Sequence, residues 1–348
     1  LYERRKTGGR RPPLQQFMNI STQRRRRVYQ LAVTIFAFGF AAIIPSPLAG
    51  RILRAAAGVQ SPGSEAASST GGDVTTVQCG QVASKILGHD VNYCIDLPGD
   101  YAASGKRYPA LYFLHGLFEN EHTWEEKGGK EILDNLVQQG KIGRFLMVMP
   151  DGGRSFYVNS DDGKNRYEDF FIQEFIPAID HLYRTIPQRD ERGITGVSMG
   201  GYGSLHLAMR HSHVFGSASA QSAALVPHLP TPLPTDGRWG FYARIMAGAF
   251  GSPLNRQYFE ENNPLTLAED PAKFHNLKLY FDVGDHDRYG FNEGNSLLDQ
   301  ILTKKEFPHQ FAIRPGNHGW SFLQDYMHYA LEFHWKIFQA ALPANGHY

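Results

Sequence analysis

The stretch Gly193-Ile194-Thr195-Gly196-Val197-Ser198-Met199-Gly200-Gly201 places one serine between glycines, directly after a short apolar run. This order is typical of a strand that ends in a nucleophile elbow, a strained strand-to-helix turn that exposes a serine hydroxyl. The glycines are needed because a side chain two residues before or after the serine would collide with the neighbouring backbone. The sequence therefore predicts a reactive serine at position 198.

The residues on either side of this stretch support the prediction. A polar turn at 189–192 precedes the apolar run, and a helix-compatible run at 204–209 follows the elbow. The order of turn, strand, elbow and helix is the context that the motif requires. A glycine-rich turn without chemical meaning is the alternative, because the pentapeptide taken alone has low specificity.

A serine hydroxyl is a weak nucleophile, so it needs an acid and a histidine base, which follow it in this chain order. The run 277–284 predicts a buried strand, and the turn after it contains further carboxylates. Position alone leaves three candidate acids, namely Asp282, Asp285 and Asp287. Asp287, just past the end of the predicted strand, is the acid that we place in the triad, and Asp282 and Asp285 remain open alternatives on position.

The candidate base is His318. A helix-like stretch at 292–304 and a short strand at 310–313 lead to Pro315-Gly316-Asn317-His318-Gly319-Trp320, which predicts a loop histidine. Loops at the carboxyl ends of parallel strands meet at one edge of a sheet, so residues far apart in sequence can converge there. Ser198, Asp287 and His318 form the predicted catalytic triad.

An oxyanion hole requires two backbone N–H groups aimed at the oxygen that becomes negative in the tetrahedral intermediate. The Met199 N–H, at the start of the helix after the elbow, is one candidate. The run 110–117 predicts a strand that ends in a glycine turn, and the Leu117 N–H in this turn is the other. The alternative is that His115-Gly116 forms only a turn.

Six segments resemble the esterase-D-like branch of the α/β-hydrolases: LHGLFENEHTW (114–124), RSFYVNS (154–160), RYEDFFIQEFIPAID (166–180), GVSMGG (196–201), VGDHD (283–287) and GNHGW (316–320). This branch contains feruloyl esterases, S-formylglutathione hydrolases, short-chain acyl esterases and mycolyltransferases. The resemblance covers about residues 75 to 342. It implies an α/β-hydrolase fold with a mostly parallel central sheet, helices on both faces and a small cap insertion.

The same resemblance implies roles for particular residues. The acid of this family is the last aspartate of its turn, which maps to Asp287. The two oxyanion amides map to Leu117 and Met199. The implied reaction is acyl transfer to Ser198 followed by hydrolysis of the acyl-enzyme, which needs no metal or organic cofactor.

The amino-terminal part of the chain has a different composition from the rest. Residues 1–60 contain 11 Lys or Arg and one acid, Glu3, although the formal net charge of the 348 residues is only +1. The basic group Arg24–Arg27 directly precedes the apolar run 28–44 and a small-residue region, which is the profile of an export signal rather than of a nucleic-acid-binding arm.

These features predict three regions. Residues 1–50 form a basic region with a signal peptide or an uncleaved signal-anchor, 51–72 form a flexible linker, and 73–348 form the catalytic domain. The protein is then secreted or periplasmic or, alternatively, membrane-anchored with an extracytoplasmic catalytic domain. The remaining 275 or so residues are enough for one domain with a substantial core.

Export would allow the two cysteines, Cys79 and Cys94, to form a disulfide. A tight hairpin about Gly88-His89-Asp90 would pair Cys94 with a residue near Ser84 instead, so two buried free thiols are the alternative.

A long insertion at 225–275 is predicted to cover the active site as a cap. Its aromatic residues, together with Phe118, Trp124 and Trp320 near the triad, are candidates for an acyl or aryl pocket. The alternative is that these side chains form the core of the cap. Arg154, Tyr157, Tyr167 and Asp169 are expected to support the site.

The sequence as a whole predicts an exported serine esterase acting on short acyl or aryl-acyl esters, small or attached to polysaccharide. Two other activities fit the same triad, namely a mycolyltransferase-type acyltransferase and an S-formylglutathione hydrolase. A non-catalytic binding protein is disfavoured because serine, acid and histidine are all present.

Overall fold

The computed structural model describes residues 74–342, whose centre is an eight-stranded sheet in the order β1-β2-β4-β3-β5-β6-β7-β8. Strand β2 runs in the opposite direction to the other seven strands of this sheet, and β3 to β8 are mutually parallel. The strands are β1 (Thr76–Ala83), β2 (Asp90–Leu97), β3 (Ala110–Leu114), β4 (Leu146–Pro150), β5 (Arg192–Val197), β6 (Ser217–Gln221), β7 (Lys278–Gly284) and β8 (His309–Arg314).

Helices cover both faces of the sheet. They are α1 (Thr123–Glu126), α2 (Gly129–Gln138), α3 (Tyr167–Phe170), α4 (Ile176–Leu182), α5 (Met199–Arg210), α6 (Gly237–Phe250), α7 (Arg256–Asn262), α8 (Pro264–Leu267), α9 (Phe291–Lys304) and α10 (Trp320–Ala341). A π-helical turn, Phe171–Phe175, joins α3 to α4, and short 3₁₀ turns lie at Arg189–Glu191 and Pro271–Phe274. Together these elements confirm the predicted α/β-hydrolase fold.

Strands β3 and β4 are almost entirely apolar, as expected for strands that are buried on both faces. In β3, Tyr112 and Leu114 belong to one core cluster, whereas Leu111 and Phe113 belong to the other. Side chains of successive strand residues point to opposite faces of the sheet, which explains this division. The first cluster includes residues of α4, α5 and α9, and the second includes residues of α2 and α10.

The β1–β2 hairpin differs from its predicted register. Cys79 lies directly opposite Cys94, and the two form a disulfide, so the expected pairing of Cys94 with Ser84 is wrong. The connection is a six-residue loop at 84–89 rather than a tight turn. Glu174, which lies far along the chain, accepts hydrogen bonds from the Ser84 hydroxyl and the Lys85 amide and so stabilises the longer loop.

The region 225–275 contains α6, α7, α8 and a 3₁₀ turn. The predicted signal segment and linker, residues 1–72, lie outside the described residues. Within residues 74–342, no helix combines the length and the hydropathy that crossing a bilayer requires.

Candidate active site

Ser198 occupies the sharp turn between β5 and α5. Its backbone is in the left-handed region, with φ 56° and ψ −114°. The Ser198 carbonyl accepts hydrogen bonds from the amides of Tyr202 and Ala224, which hold the turn in place. A Cβ on Gly200 would lie 1.9 Å from the Leu114 carbonyl oxygen, so only glycine fits there. The strand-to-helix geometry that the sequence predicts is therefore present, with the strain typical of functional turns.

His318 and Asp287 lie in contact at the same edge of the sheet. The His318 Nδ1 donates to the Asp287 Oδ2 across 2.8 Å, and the Asp287 side chain is fully buried. The other carboxylate oxygen of Asp287 accepts a hydrogen bond from the Tyr289 amide. The rings of Tyr289 and Phe291 meet the imidazole edge-on, at centroid distances of 4.8 and 5.4 Å. These contacts fix the ring orientation and leave Nε2 as the nitrogen available to a substrate or nucleophile.

The two competing carboxylates have other partners. Asp282 is completely buried and bonds the Tyr280 hydroxyl and Arg314, and burial raises the pKa of Asp282 to about 6. The Asp285 carboxylate accepts from the Gly316 amide and pairs with His286, and these contacts hold its pKa below the usual range. Of the three candidate acids, Asp287 is the one whose contact with His318 the structure gives.

The peptide between Gly116 and Leu117 is held by several hydrogen bonds. The Gly116 carbonyl accepts from the His115 Nδ1 at 2.8 Å and from the Glu119 amide at 3.3 Å. The His115 Nε2 accepts from the Gly152 amide, so the ring proton is on Nδ1. Because C=O and N–H point in opposite directions across a trans peptide, these bonds also fix the direction of the Leu117 N–H.

Three residues that the sequence analysis did not single out as functional contribute to this loop. His115 binds the Gly116 carbonyl, and the Glu119 carboxylate accepts from the Gly116 amide and from the Trp320 indole, both at 2.7 Å. The Asp151 carbonyl accepts a hydrogen bond from the Tyr167 hydroxyl. Asp151 directly precedes Gly152, whose amide donates to the His115 Nε2. Tyr157, expected to support the site, donates its hydroxyl proton to the His115 carbonyl. A single sequence carries no signal for such contacts, since the partners lie up to 201 residues apart.

A cavity of about 290 Å³ brings most of the predicted site residues together. Ser198, His318, Leu117 and Met199 all line it. The remaining wall is mainly apolar and aromatic, and it consists of Phe118, Phe156, Val197, Ala224, Phe241, Ile245, Tyr289, Phe291, Trp320 and Leu323, with the polar or small residues Gly116, Glu119, Arg288 and Gly319. A mainly apolar cavity with a few convergent polar groups is typical of a small-molecule site.

Two of the three predicted substrate-contacting aromatic residues lie in this wall. Phe118 is 64% exposed and has a φ of 67°, an uncommon backbone conformation for an aromatic residue. Trp320 lies at the start of α10, beside the histidine loop. Phe241, from the predicted cap, also lines the cavity.

Trp124 does not line the cavity, and this corrects the expectation that it contacts substrate. Its side chain is fully buried and packs against Phe113 at a ring-centroid distance of 5.0 Å. Gly129, the first residue of α2, lies against the indole so closely that a Cβ there would be 2.4 Å from it. Trp124 is a core residue because the α1–α2 connection closes over it.

One group of potential metal ligands occurs within residues 74–342, formed by Cys79, Cys94 and His122. The two sulfur atoms are bonded to each other. A thiolate, not a disulfide sulfur, is the form of cysteine that binds metal ions. The cluster in its oxidised form is therefore not a metal site.

The strand order, the elbow and the histidine–carboxylate pair at the carboxyl edge of the sheet define an α/β-hydrolase. The chain belongs to the Esterase family, whose model, described as "Putative esterase", matches residues 84–346. Family membership makes this region a carboxylic-ester hydrolase domain.

Known proteins with related sequences carry esterase names. "Esterase Rv1288" of Mycobacterium tuberculosis is 36% identical over 132 residues, which are 36% of this chain and 27% of that protein. "Acetyl esterase" of Caldicellulosiruptor saccharolyticus is 26% identical over 232 residues, which are 65% of this chain and 83% of that protein. The chain thus spans about a quarter of the length of the mycobacterial relative.

Solved structures show the same fold. A ferulic acid esterase superposes with a TM-score of 0.65 at 28% identity, covering 76% of this chain and 98% of the other. An S-formylglutathione hydrolase from Agrobacterium tumefaciens superposes with a TM-score of 0.60 at 19% identity, covering 76% and 96% of the two chains. The second likeness shows the fold alone.

Proposed function

We propose that the protein is an exported serine esterase that hydrolyses carboxylic esters through an acyl-enzyme on Ser198. The observation that carries the proposal is the hydrogen bond between His318 and the buried Asp287, made beside a cavity that Ser198 also lines. A histidine oriented by a carboxylate is the base that a serine hydroxyl needs in order to become a nucleophile.

In the proposed mechanism, His318 takes the proton of the Ser198 hydroxyl as the oxygen attacks the ester carbonyl carbon. The carbonyl oxygen becomes negative and receives hydrogen bonds from the amides of Leu117 and Met199. His318 then gives its proton to the departing alcohol, which leaves the acyl group on Ser198. Water, deprotonated by His318, attacks the acyl-enzyme and releases the acid and free Ser198. Asp287 stabilises the imidazolium in both halves of the cycle.

The size and lining of the cavity favour short acyl or aryl-acyl groups. About 290 Å³ is at the small end of ligand cavities, and Phe118, Phe241 and Trp320 offer flat apolar surfaces to an aromatic acyl group. Among the relatives, one is named an acetyl esterase and one a ferulic acid esterase, which agrees with this range.

Two features support export. The basic residues Arg24–Arg27 followed by the apolar run 28–44 have the pattern of a secretory signal. The Cys79–Cys94 disulfide is a feature that persists in oxidising compartments. We propose a secreted or periplasmic location, with an uncleaved membrane anchor as the alternative, and mass spectrometry of the mature amino terminus tests the cleavage.

The esterase proposal is tested by hydrolysis of p-nitrophenyl acetate, butyrate and octanoate and of methyl ferulate by the purified protein. We expect turnover, and we expect Ser198→Ala to lower kcat by about 10⁵-fold or more while the melting temperature is unchanged. Turnover that survives in Ser198→Ala would contradict the role of the serine. Failure of the wild-type protein to turn over any of the four esters would contradict the esterase proposal.

A further inference from the structure

Three arginines lie in the cavity wall or next to residues of the wall. Arg288 is part of the cavity wall, and the Arg154 guanidinium lies 4.6 Å from the ring centroid of Phe118, which is also in the wall. Arg238 reaches the chain between Tyr289 and Phe291, so closely that a Cβ on Gly290 would lie 2.7 Å from its Nη1. The three come from separate parts of the sequence, and each lies in the wall or beside a segment that contributes to it.

None of these arginines is neutralised by a carboxylate in the described chain. Within residues 74–342, no Asp or Glu oxygen lies within 4.0 Å of the Arg154, Arg238 or Arg288 guanidinium, whereas Arg166, Arg192 and Arg210 each pair with an acid. Instead, the three arginines stack on Phe118, Trp239 and Tyr289 respectively. Stacking holds a guanidinium in place and leaves its N–H donors available.

The charge of these arginines is opposite in sign to the net charge of the domain. Residues 74–342 contain 31 Asp or Glu and 24 Lys or Arg, so the domain is acidic. Glu119 is the carboxylate in the cavity wall, and both of its oxygens already accept hydrogen bonds. Local positive charge on an acidic domain concentrates anions there.

We propose that the cavity selects esters that carry an anionic group, such as a carboxylate, outside the ester bond. This inference rests on the proposed esterase function and adds the class of substrate. The three arginines bind the anionic group while the neutral ester group enters the apolar cavity. Their planar N–H donors suit carboxylate, phosphate and sulfate oxygens alike.

The test compares matched esters that differ in one charge. On the alcohol side the pair is 4-acetoxybenzoate and its methyl ester, and on the acyl side it is p-nitrophenyl hydrogen adipate and p-nitrophenyl methyl adipate. Each kcat/KM is divided by the hydroxide-catalysed rate of the same compound. We expect the anionic ester to be favoured at least 5-fold in one pair, and the preference to decrease between 0.05 and 0.5 M NaCl because salt screens charges.

Arg288→Gln and Arg154→Gln should each lower the anionic-to-neutral ratio by about 5-fold, the effect of one partly exposed charge. Lys304→Gln, at the opposite end of α9 from the cavity, removes the same charge and should leave the ratio unchanged. An anionic-to-neutral ratio of one or less for the wild type in both pairs overturns the inference. A double variant of Arg154 and Arg288 whose ratio equals that of the wild type also overturns it. If the neutral esters are still hydrolysed, the inference about anionic substrates has failed but the esterase proposal has not. Fluorescence-monitored binding of 4-acetamidobenzoate and its methyl ester gives the same comparison without turnover.

A separate set of contacts concerns Glu119, which joins the two loops of the site. Its Oε2 accepts from the Gly116 amide and its Oε1 from the Trp320 indole, both at 2.7 Å. Its own amide binds the Gly116 carbonyl. Gly116 begins the peptide that carries the proposed oxyanion donor Leu117, and Trp320 follows His318 by two residues.

We infer that Glu119 is a positioning residue that holds the oxyanion loop in register with the histidine loop. The carboxylate accepts two hydrogen bonds at once, one from each loop. A glutamine has one acceptor oxygen, so its amide nitrogen would face a donor and one of the two bonds would be lost. Loss of a loop contact loosens the oxyanion hole, whose function depends on preorganised donors. This inference also rests on the proposed esterase mechanism.

Glu119→Gln and Trp320→Phe, with their double variant, test this role. We expect Glu119→Gln to lower kcat by about 10-fold with KM changed less than 3-fold, because the donors act mainly on the transition state. We also expect it to lower the rate ratio of an oxo-ester to its thiono analogue, because the thiono sulfur depends less on the oxyanion donors. The kcat effects of Glu119→Gln and Trp320→Phe should be less than multiplicative in the double variant, since both break one bond.

Glu125→Gln on α1 is the control for loss of an exposed nearby carboxylate, and its rate ratio should equal that of the wild type. Multiplicative effects together with an unchanged oxo-to-thiono ratio in Glu119→Gln would overturn the inference. In the same experiment, turnover by the wild type that is lost in Ser198→Ala shows that the esterase proposal stands even if the inference about Glu119 fails. If Glu119→Gln does not fold, Trp320→Phe still supplies the ratio, and an unchanged ratio there would count against the coupling of the loops.

Discussion

The two ends of helix α5 use polar residues in opposite ways. At its amino-terminal end, Ser198 is held in a left-handed backbone conformation and lines an open cavity. At the other end, the buried carboxylate of Glu168 accepts hydrogen bonds from His206, Arg210 and His211, at 2.8 to 3.0 Å. The amino-terminal end presents the proposed nucleophile to the cavity, whereas at the carboxyl-terminal end the charged and polar groups bond one another.

This second cluster connects several elements. His206 contacts Glu168 through Nε2 and the Asn262 carbonyl through Nδ1, so α5 is tied to α3 and to α7. Burial disfavours the charged form of Glu168, but the hydrogen bonds from His206 and His211 outweigh it and hold the pKa of Glu168 well below its usual range. The amino-terminal end of α5 therefore combines backbone strain with an open face, whereas the carboxyl-terminal end contains a carboxylate whose hydrogen bonds are satisfied.

The largest effect is expected at the catalytic edge. Asp287→Asn should lower kcat by about 10⁴-fold, because the amide can no longer accept from the His318 Nδ1 and stabilise the imidazolium. Steady-state hydrolysis of p-nitrophenyl acetate measures this loss. Chemical denaturation should show a much smaller change, since the comparison assigns this edge to activity.

Asp285→Asn is the matched control, two residues away in the same turn. Asp285 bonds the Gly316 amide and His286 rather than His318, so we expect a loss of less than about 10-fold. Equal losses at the two aspartates would refute the assignment of the acid.

The next effect is expected at the other end of α5. Glu168→Gln should lower the free energy of unfolding by about 3 kcal/mol, because it removes the buried carboxylate that bonds the buried His206 and the partly exposed Arg210 and His211. Because the folded pKa of Glu168 is depressed, its contribution is present above the ordinary Glu pKa and is lost as the pH falls toward the folded value. Urea denaturation at pH 7 and at pH 3 measures both quantities.

Glu125→Gln, an exposed carboxylate on α1, is the control and should change stability by less than about 0.5 kcal/mol. We expect Glu168→Gln to retain kcat within about 3-fold at a temperature where it is folded, because its partners lie away from the cavity wall. A loss of kcat in Glu168→Gln as large as that in Asp287→Asn would contradict the separate roles of the two ends of α5.

The smallest effect concerns His334, which is buried beneath the sheet and bonds the hydroxyls of Ser217 and Ser219. Burial lowers the pKa of His334 to about 3. Between that value and the unfolded pKa of about 6.5, the unfolded state binds the extra proton, so stability rises with pH by up to about 1.4 kcal/mol per unit. His334→Gln should reduce this slope between pH 4.5 and 6.5, as measured by urea denaturation. A slope equal to that of the wild type would show that His334 is not its source.

Much of the fold was predictable because its signals are local. The elbow at Ser198, the apolar strand β7 and the helical pattern of α9 each occupy one continuous stretch of sequence. The close approach of Gly200 to Leu114 shows why the glycines around the serine carried the strongest signal. The family resemblance supplied the choice of Asp287 over its neighbours, a choice that position alone left open.

The features that were missed depend on contacts between distant residues. The hairpin register that pairs Cys79 with Cys94 follows from a six-residue loop bound by Glu174, which a hairpin rule cannot include. The burial of Trp124 depends on how α1 and α2 close over it. Glu119 and Trp320 meet across 201 residues, so no local pattern reports their bond.

Trapping of the acyl-enzyme tests directly whether Ser198 carries the acyl group. The wild-type protein is mixed with p-nitrophenyl butyrate, quenched in acid within milliseconds to seconds, digested and analysed by peptide mass spectrometry. The account predicts a butyryl group on the peptide that contains Ser198, and no such adduct in Ser198→Ala. A butyryl group on a different residue, or an adduct that persists in Ser198→Ala, would contradict it.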